Sequence, residues 1–158
     1  MTHEDFAQSI ITMRHMLYRV ACLQLPQRAD REDAVQEAIR KAWEKRDSLH
    51  SEQHLQTWMV RILLNECHNL QRKGRRCVPV EEVYALSTPA PQRDQELRWA
   101  LQSLEERYRM PILLHYIEGL PIRQVAQALR IPQGTVQSRL ARGRKLLQQA
   151  LAEEVLEE

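Results

Sequence analysis

Apolar residues recur every three or four positions at Phe6, Ile10, Met13, Leu17, Ala21 and Leu25, which predicts a first amphipathic helix from Glu4 to about Leu25, stopped by Pro26. After "PQRAD" a second helix is expected, with Asp30 as N-cap and the acid Asp33 near its start, running to about Ser48. Ala34, Val35, Ala38, Ile39, Ala42 and Trp43 form its apolar side. Asp33, Gln36, Glu37, Arg40 and Glu44 fall together on the opposite side by helical spacing. "HSEQH" reads as a loop. Leu55 to Arg72 then gives a third helix, with Leu55, Trp58, Met59, Ile62, Leu63, Glu66 and Leu70 around one side. On its other side Arg61, Asn65, His68 and Arg72 stand at i, i+4, i+7 and i+11, a polar and basic stripe that continues into "RKGRR".

Between Gly74 and Arg93 the periodicity lapses. "GRRCVPVEEVYALSTPAPQRD" holds three prolines and marks a linker between two domains. The expected division is a first domain over residues 1–75, a linker over 76–93 and a second domain over 94–158. The second block opens with a helix from about Asp94 to Leu104, apolar at Leu97, Ala100, Leu101 and Leu104. In the following "EERYRMPILLHYIEGL", Pro111 predicts a first turn or a kink, and Gly119 with Pro121 closes the segment.

Composition agrees with an all-α fold of two small helical domains. Apolar residues make up 43% of the 158, aromatics only 5%, and there are four glycines. A formal net charge of +2 announces no polyanionic partner by itself, so the placement of charge must decide. Acids cluster at Asp30 to Glu37 and in the tail from Glu153 to Glu158, whereas cations cluster at Arg72 to Arg76 and Arg139 to Lys145. Cys22, Cys67 and Cys77 form no CxxC pair and are odd in number, which argues against a disulfide framework or a zinc knuckle. No apolar run approaches the roughly 18 residues of a membrane span, and the polar start at Met1 is no signal peptide. A cytoplasmic protein is expected.

The last two helical stretches have the anatomy of a helix-turn-helix. Ile122, Val125, Ala126 and Leu129 make the inner side of "PIRQVAQAL", and Ala126 lets a second helix cross closely. Ile131 plugs the turn "RIPQ", Pro132 and Gly134 end the first helix, and Thr135 is placed to cap the second. On a wheel of "PQGTVQSRLARGRKLL", Val136, Leu140, Gly143 and Leu147 face inward. Gln137, Ser138, Ala141, Arg142 and Lys145 are left outward, with Arg139 and Arg144 on the flanks. Side chains near the start of such a helix reach base edges in a major groove, and its outer cations neutralise phosphate.

A helix-turn-helix leaves the first block unexplained. "DREDAVQEAIRKAW", "TWMVRILLNECHNLQRK" and "LQSLEERYRMPILLHYIEGLPIRQVAQALRIPQGTVQSRLARGRKLL", in that order, resemble a sigma factor of the extracytoplasmic-function group of the sigma-70 family over nearly the whole chain. The resemblance implies that 1–75 is sigma region 2 and 94–158 is sigma region 4. Asp33 to Glu37 is similar to the family's "DLVQE" box, which implies that Asp33, Gln36, Glu37 and Arg40 dock on the clamp helices of the largest subunit of core RNA polymerase. Thr57, Trp58, Arg61, Ile62, Asn65 and Arg72 resemble "TWLxRIxxNxxxDxxR", which implies that Arg61, Asn65, His68 and Arg72 face the minus-ten element, where an unstacked base is trapped as the duplex opens. Thr135, Gln137, Ser138, Arg139, Ala141, Arg142 and Lys145 match positions that meet the minus-thirty-five element. The implied partners are core RNA polymerase, promoter DNA and an anti-sigma factor able to hold the protein at the membrane; no cofactor is implied.

Some positions depart from the family pattern. "LHSEQHL" has neither the glycine nor the aromatic residue frequent in the base-capturing loop, and Asn69 stands in place of Asp. Arg123 and Gln124 replace an acidic pair, and Arg130 replaces the usual glycine of the turn.

Two other classes compete. A helix-turn-helix repressor or activator would use the first block to dimerise and would bind a palindromic operator without polymerase. An enzyme would need a reactive constellation, but His3, His15, His50, His54, His68 and His115 are scattered, and no phosphate loop, nucleophile elbow or HExxH is present. Neither an enzyme nor a metal site is expected.

Overall fold

The computed structural model describes residues 1–73 and 92–157, which fall in two compact units, Met1–Leu86 and Ser87–Glu158. The described residues form helices and turns, with no strand among them. The expected linker at 76–93 lies outside the described residues except for Gln92 and Arg93, which already belong to a helix.

In the first unit α1 spans His3–Gln24, α2 Arg28–Glu44 and α3 Leu55–Lys73. A capping box starts α1: the Asp5 amide donates to Thr2 Oγ1 at 3.1 Å and the Thr2 amide to Asp5 Oδ2 at 3.4 Å. Leu25 is extended, as the residue before a proline must be, and ends the helix.

Helix α2 starts earlier than expected. Gln27 is its N-cap, without a side-chain bond, and Asp30 lies in the first turn, where its charge still favours the helix dipole. It also stops at Glu44, short of Ser48, and the chain continues through a 3-10 turn, Arg46–Ser48. "HSEQH" holds a second such turn, Glu52–His54.

The first core is built from Phe6, Leu17, Val20 and Ala21 of α1, the alanines Ala34, Ala38 and Ala42 of α2, and Met59, Val60, Leu63 and Cys67 of α3. Alanines spaced by four leave a shallow groove in which a neighbouring helix can lie close. Helix α3 packs against both α1 and α2, so its buried stripe is wider than one helix face, and Val60, Leu64 and Cys67 turn inward. Trp58, Ile62 and Leu70, expected in the core, are only half-buried. Ile39 is half-buried and Trp43 is 40% exposed, its ring 5.9 Å from that of Phe6.

In the second unit α4 spans Gln92–Ser103, α5 Glu106–Ile112, α6 Ile122–Leu129 and α7 Gln133–Glu157. Pro111 sits inside α5 and is followed by a π turn, Leu113–Ile117, so the kink expected there is a widened turn. A proline without an amide hydrogen disturbs the i to i−4 ladder at that point. Gly119, at φ +75°, turns the chain out of this segment.

Helix α6 ends at Arg130 in the left-handed conformation, φ 58° and ψ 45°, with the Ile131 amide donating to Ala126 O at 3.1 Å. That reversal, rather than Gly134, is what ends the helix. Helix α7 begins at Gln133, and the Val136 amide donates to Pro132 O at 3.1 Å, so Gly134 and Thr135 lie within its first turn and Thr135 is not a cap. Val125, Ala126, Val136 and Leu140 are buried where α6 and α7 pack together. Ala128 is buried as well, while Ile122 and Leu129 are half-buried. A Cβ added to Gly143 would stand 3.0 Å from Ile112 Cδ1 and 3.4 Å from Tyr108 O, so the missing side chain is what lets α7 reach α5.

Candidate functional site

Three helical faces carry the polar groups singled out by the sequence. On α2, Asp33, Gln36 and Arg40 are exposed and Glu37 is half-buried, all on the side opposite the alanine stripe. Arg40 bridges to both Glu37 and Glu44. The hydrogen bond from Arg40 is the largest cause holding the Glu37 carboxyl below its ordinary value, and the neighbouring charges of Arg40 and Lys41 act the same way. The two carboxylates, led by Glu37, raise Arg40 in turn. Asp33 has no such neighbour among the described residues and presents its charge to solvent.

Helix α3 places Asn65 and Arg72 at the surface and Arg61 and His68 half-buried, one polar row as the spacing implied. Arg72 Nη2 donates to Asn69 Oδ1 at 2.8 Å and Arg72 Nε to His68 O at 3.4 Å. Asn69 therefore serves as the acceptor for this arginine without a formal charge. Gln71 Nε2 donates to Gln24 O at 2.7 Å, tying the same end of α3 to α1.

One functional-site neighbour escaped the periodicity. Glu66 lies in the buried stripe, 7% exposed, and its carboxylate is ion-paired with Lys41 of α2. An acid inside an apolar stripe was the signal; only the fold supplies its cation. The pair joins the helix with the acidic face to the helix with the basic row. Beside the chain between them, an open cleft of about 320 Å³ is lined by His3, Phe6, Arg46, Leu49, His50 and Ser51, among others. Arg46 stacks on Trp43 at 4.4 Å from the ring centre.

In the second unit Gln137, Ser138, Ala141, Arg142 and Lys145 are exposed on α7, and Thr135 and Arg139 are half-buried. Arg144 Nη1 donates to Tyr116 Oη at 2.9 Å, and Ser138 Oγ to Thr135 O at 3.0 Å. Arg139, Arg142 and Lys145 make no side-chain hydrogen bond or ion pair among the described residues. Gly143, Leu140 and Val136 anchor the opposite side in the core, which fixes this row outward. Cys67 is buried in the first core and Cys22 half-buried; Cys77 lies outside the described residues. Among the described residues no helix is long and apolar enough to cross a membrane.

Two packed helices around a tight turn, with a bare cationic face on the second, define a helix-turn-helix unit of the DNA-binding class. Residues 94–147 match the family described as sigma-70 region 4, and residues 10–77 match sigma-70 region 2. The chain is 30% identical over 158 aligned positions to the ECF RNA polymerase sigma-E factor of Escherichia coli (strain K12), covering 87% of this chain and 82% of that one. It is 29% identical over 143 positions to RNA polymerase sigma factor SigV of Bacillus subtilis (strain 168), covering 88% and 86%. Among solved structures it is similar to the sigma factor RpoE in complex with the anti-sigma factor NepR from Bartonella quintana, with a TM-score of 0.80, 28% identity and coverage of 94% and 98%. The chain belongs to the sigma-70 family, in its ECF branch.

Proposed function

We propose that residues 1–75 act as sigma region 2 and 94–158 as sigma region 4, joined through 76–93, and that together they direct core RNA polymerase to promoters. The first unit holds polymerase through Asp33, Gln36, Glu37 and Arg40, whose mixed but predominantly acidic face complements a basic coiled coil such as the clamp helices of the largest subunit. Arg61, Asn65, His68 and Arg72 of α3 meet the minus-ten DNA as it opens. Thr135, Gln137, Ser138, Arg139, Ala141, Arg142 and Lys145 meet the minus-thirty-five duplex, the outer cations on phosphate and the polar side chains near the start of α7 on base edges.

The observation that carries this is the division of charge between two units: an acid-bearing face on α2 and, on α7, a cationic face without counter-ions among the described residues. The mechanism needs no covalent step by this chain, no cofactor and no metal, and it operates in the cytoplasm, where polymerase and chromosome meet. Each unit alone has few DNA contacts, so polymerase must fix their spacing before affinity becomes useful. An anti-sigma factor that covers these faces is the expected inhibitor, in keeping with the complex formed by the Bartonella relative.

Run-off transcription with purified core RNA polymerase on a mixed library of genomic promoters tests the proposal. Transcripts that depend on the protein and share two upstream elements are expected. Failure to bind or redirect polymerase, with tight binding of a palindromic duplex by the protein alone, would instead establish an operator-binding repressor or activator.

A further inference from the structure

From Glu118 to Glu153 the chain has no intervening Asp or Glu, yet it carries Arg123, Arg130, Arg139, Arg142, Arg144 and Lys145. The last four belong to α7. Arg123 and Arg130 lie outside that helix, one in the first turn of α6 and one in the turn that follows it. Both are exposed, and neither makes a side-chain hydrogen bond or ion pair among the described residues. Arg130 is also the sole positive-φ residue other than glycine among them. A Cβ is disfavoured in that conformation and glycine is not, so the backbone at 130 works against the residue that occupies it. Strain kept at an exposed side chain with no hydrogen bond or ion pair among the described residues points to a partner outside the protein.

We infer that Arg123 and Arg130 form a second phosphate contact, gripping the DNA backbone beside the groove entered by α7. Their positions, seven residues apart at the two ends of α6, lie about 10 Å from each other along the helix axis. At that separation the two guanidinium groups can meet different phosphates of one strand rather than share one. The unbroken positive sign from 119 to 152 makes α6 and its turn an extension of the α7 field, and a repeating anion is the ligand that such a row fits. The inference rests on α7 being a DNA-binding helix.

The test uses the full-length chain with core RNA polymerase on a promoter duplex recovered by run-off transcription, with affinity measured from about 50 to about 200 mM salt. Arg130→Gly and Arg123→Ala should each make the slope of log affinity against log salt shallower by about 0.9, and the double variant by about twice that. Sequence preference should not change. Arg130→Lys should keep the wild-type slope. The thermal midpoint of Arg130→Gly should lie at or above wild type, because glycine relieves the left-handed residue; a lower midpoint would mark Arg130 as structural and overturn the inference. If Arg142→Ala flattens the slope while Arg123→Ala and Arg130→Gly do not, the inference is overturned and α7 keeps its role. If Arg142→Ala changes nothing either, the reading of α7 falls with it. Should no promoter be recovered, the same slopes are read with the full chain on a short duplex of mixed sequence, where insensitivity to Arg123→Ala and Arg130→Gly again overturns the inference.

Discussion

Helix α2 and helix α7 both expose charge along one face, but they treat it in opposite ways. On α2 most charges meet the opposite sign, the exposed Asp33 aside: Arg40 bridges Glu37 and Glu44, Arg28 bridges Glu32, and Lys41 reaches across to Glu66 of α3. On α7 the cations Arg139, Arg142 and Lys145 find no counter-ion among the described residues, and no acid lies between Glu118 and Glu153 in the chain. A face with fixed ion pairs offers a pattern to another protein, where complementarity selects partner and register. A face of one sign offers a field, suited to a polyanion that releases counterions on contact. The contrast supports the proposal that the exposed face of α2 meets a protein and that of α7 meets nucleic acid.

The largest expected effect lies inside the first unit. Lys41→Ala leaves Glu66 buried without its cation, which should destabilise that unit by about 3 kcal/mol in urea unfolding, read from Trp43 and Trp58 with Trp99 changed to Phe. The double variant Lys41→Met with Glu66→Leu should recover most of the loss. A neutral Lys41→Ala would mean that the pair is solvated and that α2 and α3 are not joined through charge.

In the second unit the comparable effect is smaller and steric. Gly143→Ala gains up to about 1 kcal/mol of helix propensity but pushes a methyl against Ile112, itself buried. Overpacking typically costs about 1–3 kcal/mol, so a net destabilisation of about 1 kcal/mol is expected by thermal unfolding, with polymerase binding intact. Greater stability would show that Ile112 yields freely and that the close approach of α7 to α5 is not constrained.

The smallest effect on stability belongs to Arg40→Ala. Both of its ion pairs are exposed, so the unfolding midpoint should not move measurably. The Glu37 carboxyl, held low by Arg40, should return toward about 4.5 in an NMR titration of the variant. The sign follows from the lowered folded-state value: what Arg40 contributes is present above the unfolded value and is lost as pH falls through the folded one. An unaltered Glu37 titration would place Arg40 elsewhere in solution.

Much of this was legible in the chain. The exposed row of α7 and the acid-bearing row of α2 follow from a 3.6-residue period because each helix buries a single narrow stripe. Periodicity failed at α3, whose buried stripe is wider than the expected row: Val60, Leu64 and Cys67 are buried as well. It failed again at boundaries, where Asp30 and Thr135 are good capping residues but the backbone begins each helix two or three residues earlier. The Lys41–Glu66 pair spans two helices and is fixed only by tertiary packing, out of reach of any local pattern.

The most direct test of the division between the units is the equilibrium affinity of core RNA polymerase for the full-length chain carrying either Asp33→Arg or Arg142→Ala. Charge reversal on α2 should weaken binding at least tenfold, about 1.4 kcal/mol. Arg142→Ala should leave polymerase affinity at the wild-type value while reducing run-off transcription. Equal losses of polymerase affinity in both variants, or none in Asp33→Arg, would contradict the assignment of one face to protein and the other to DNA.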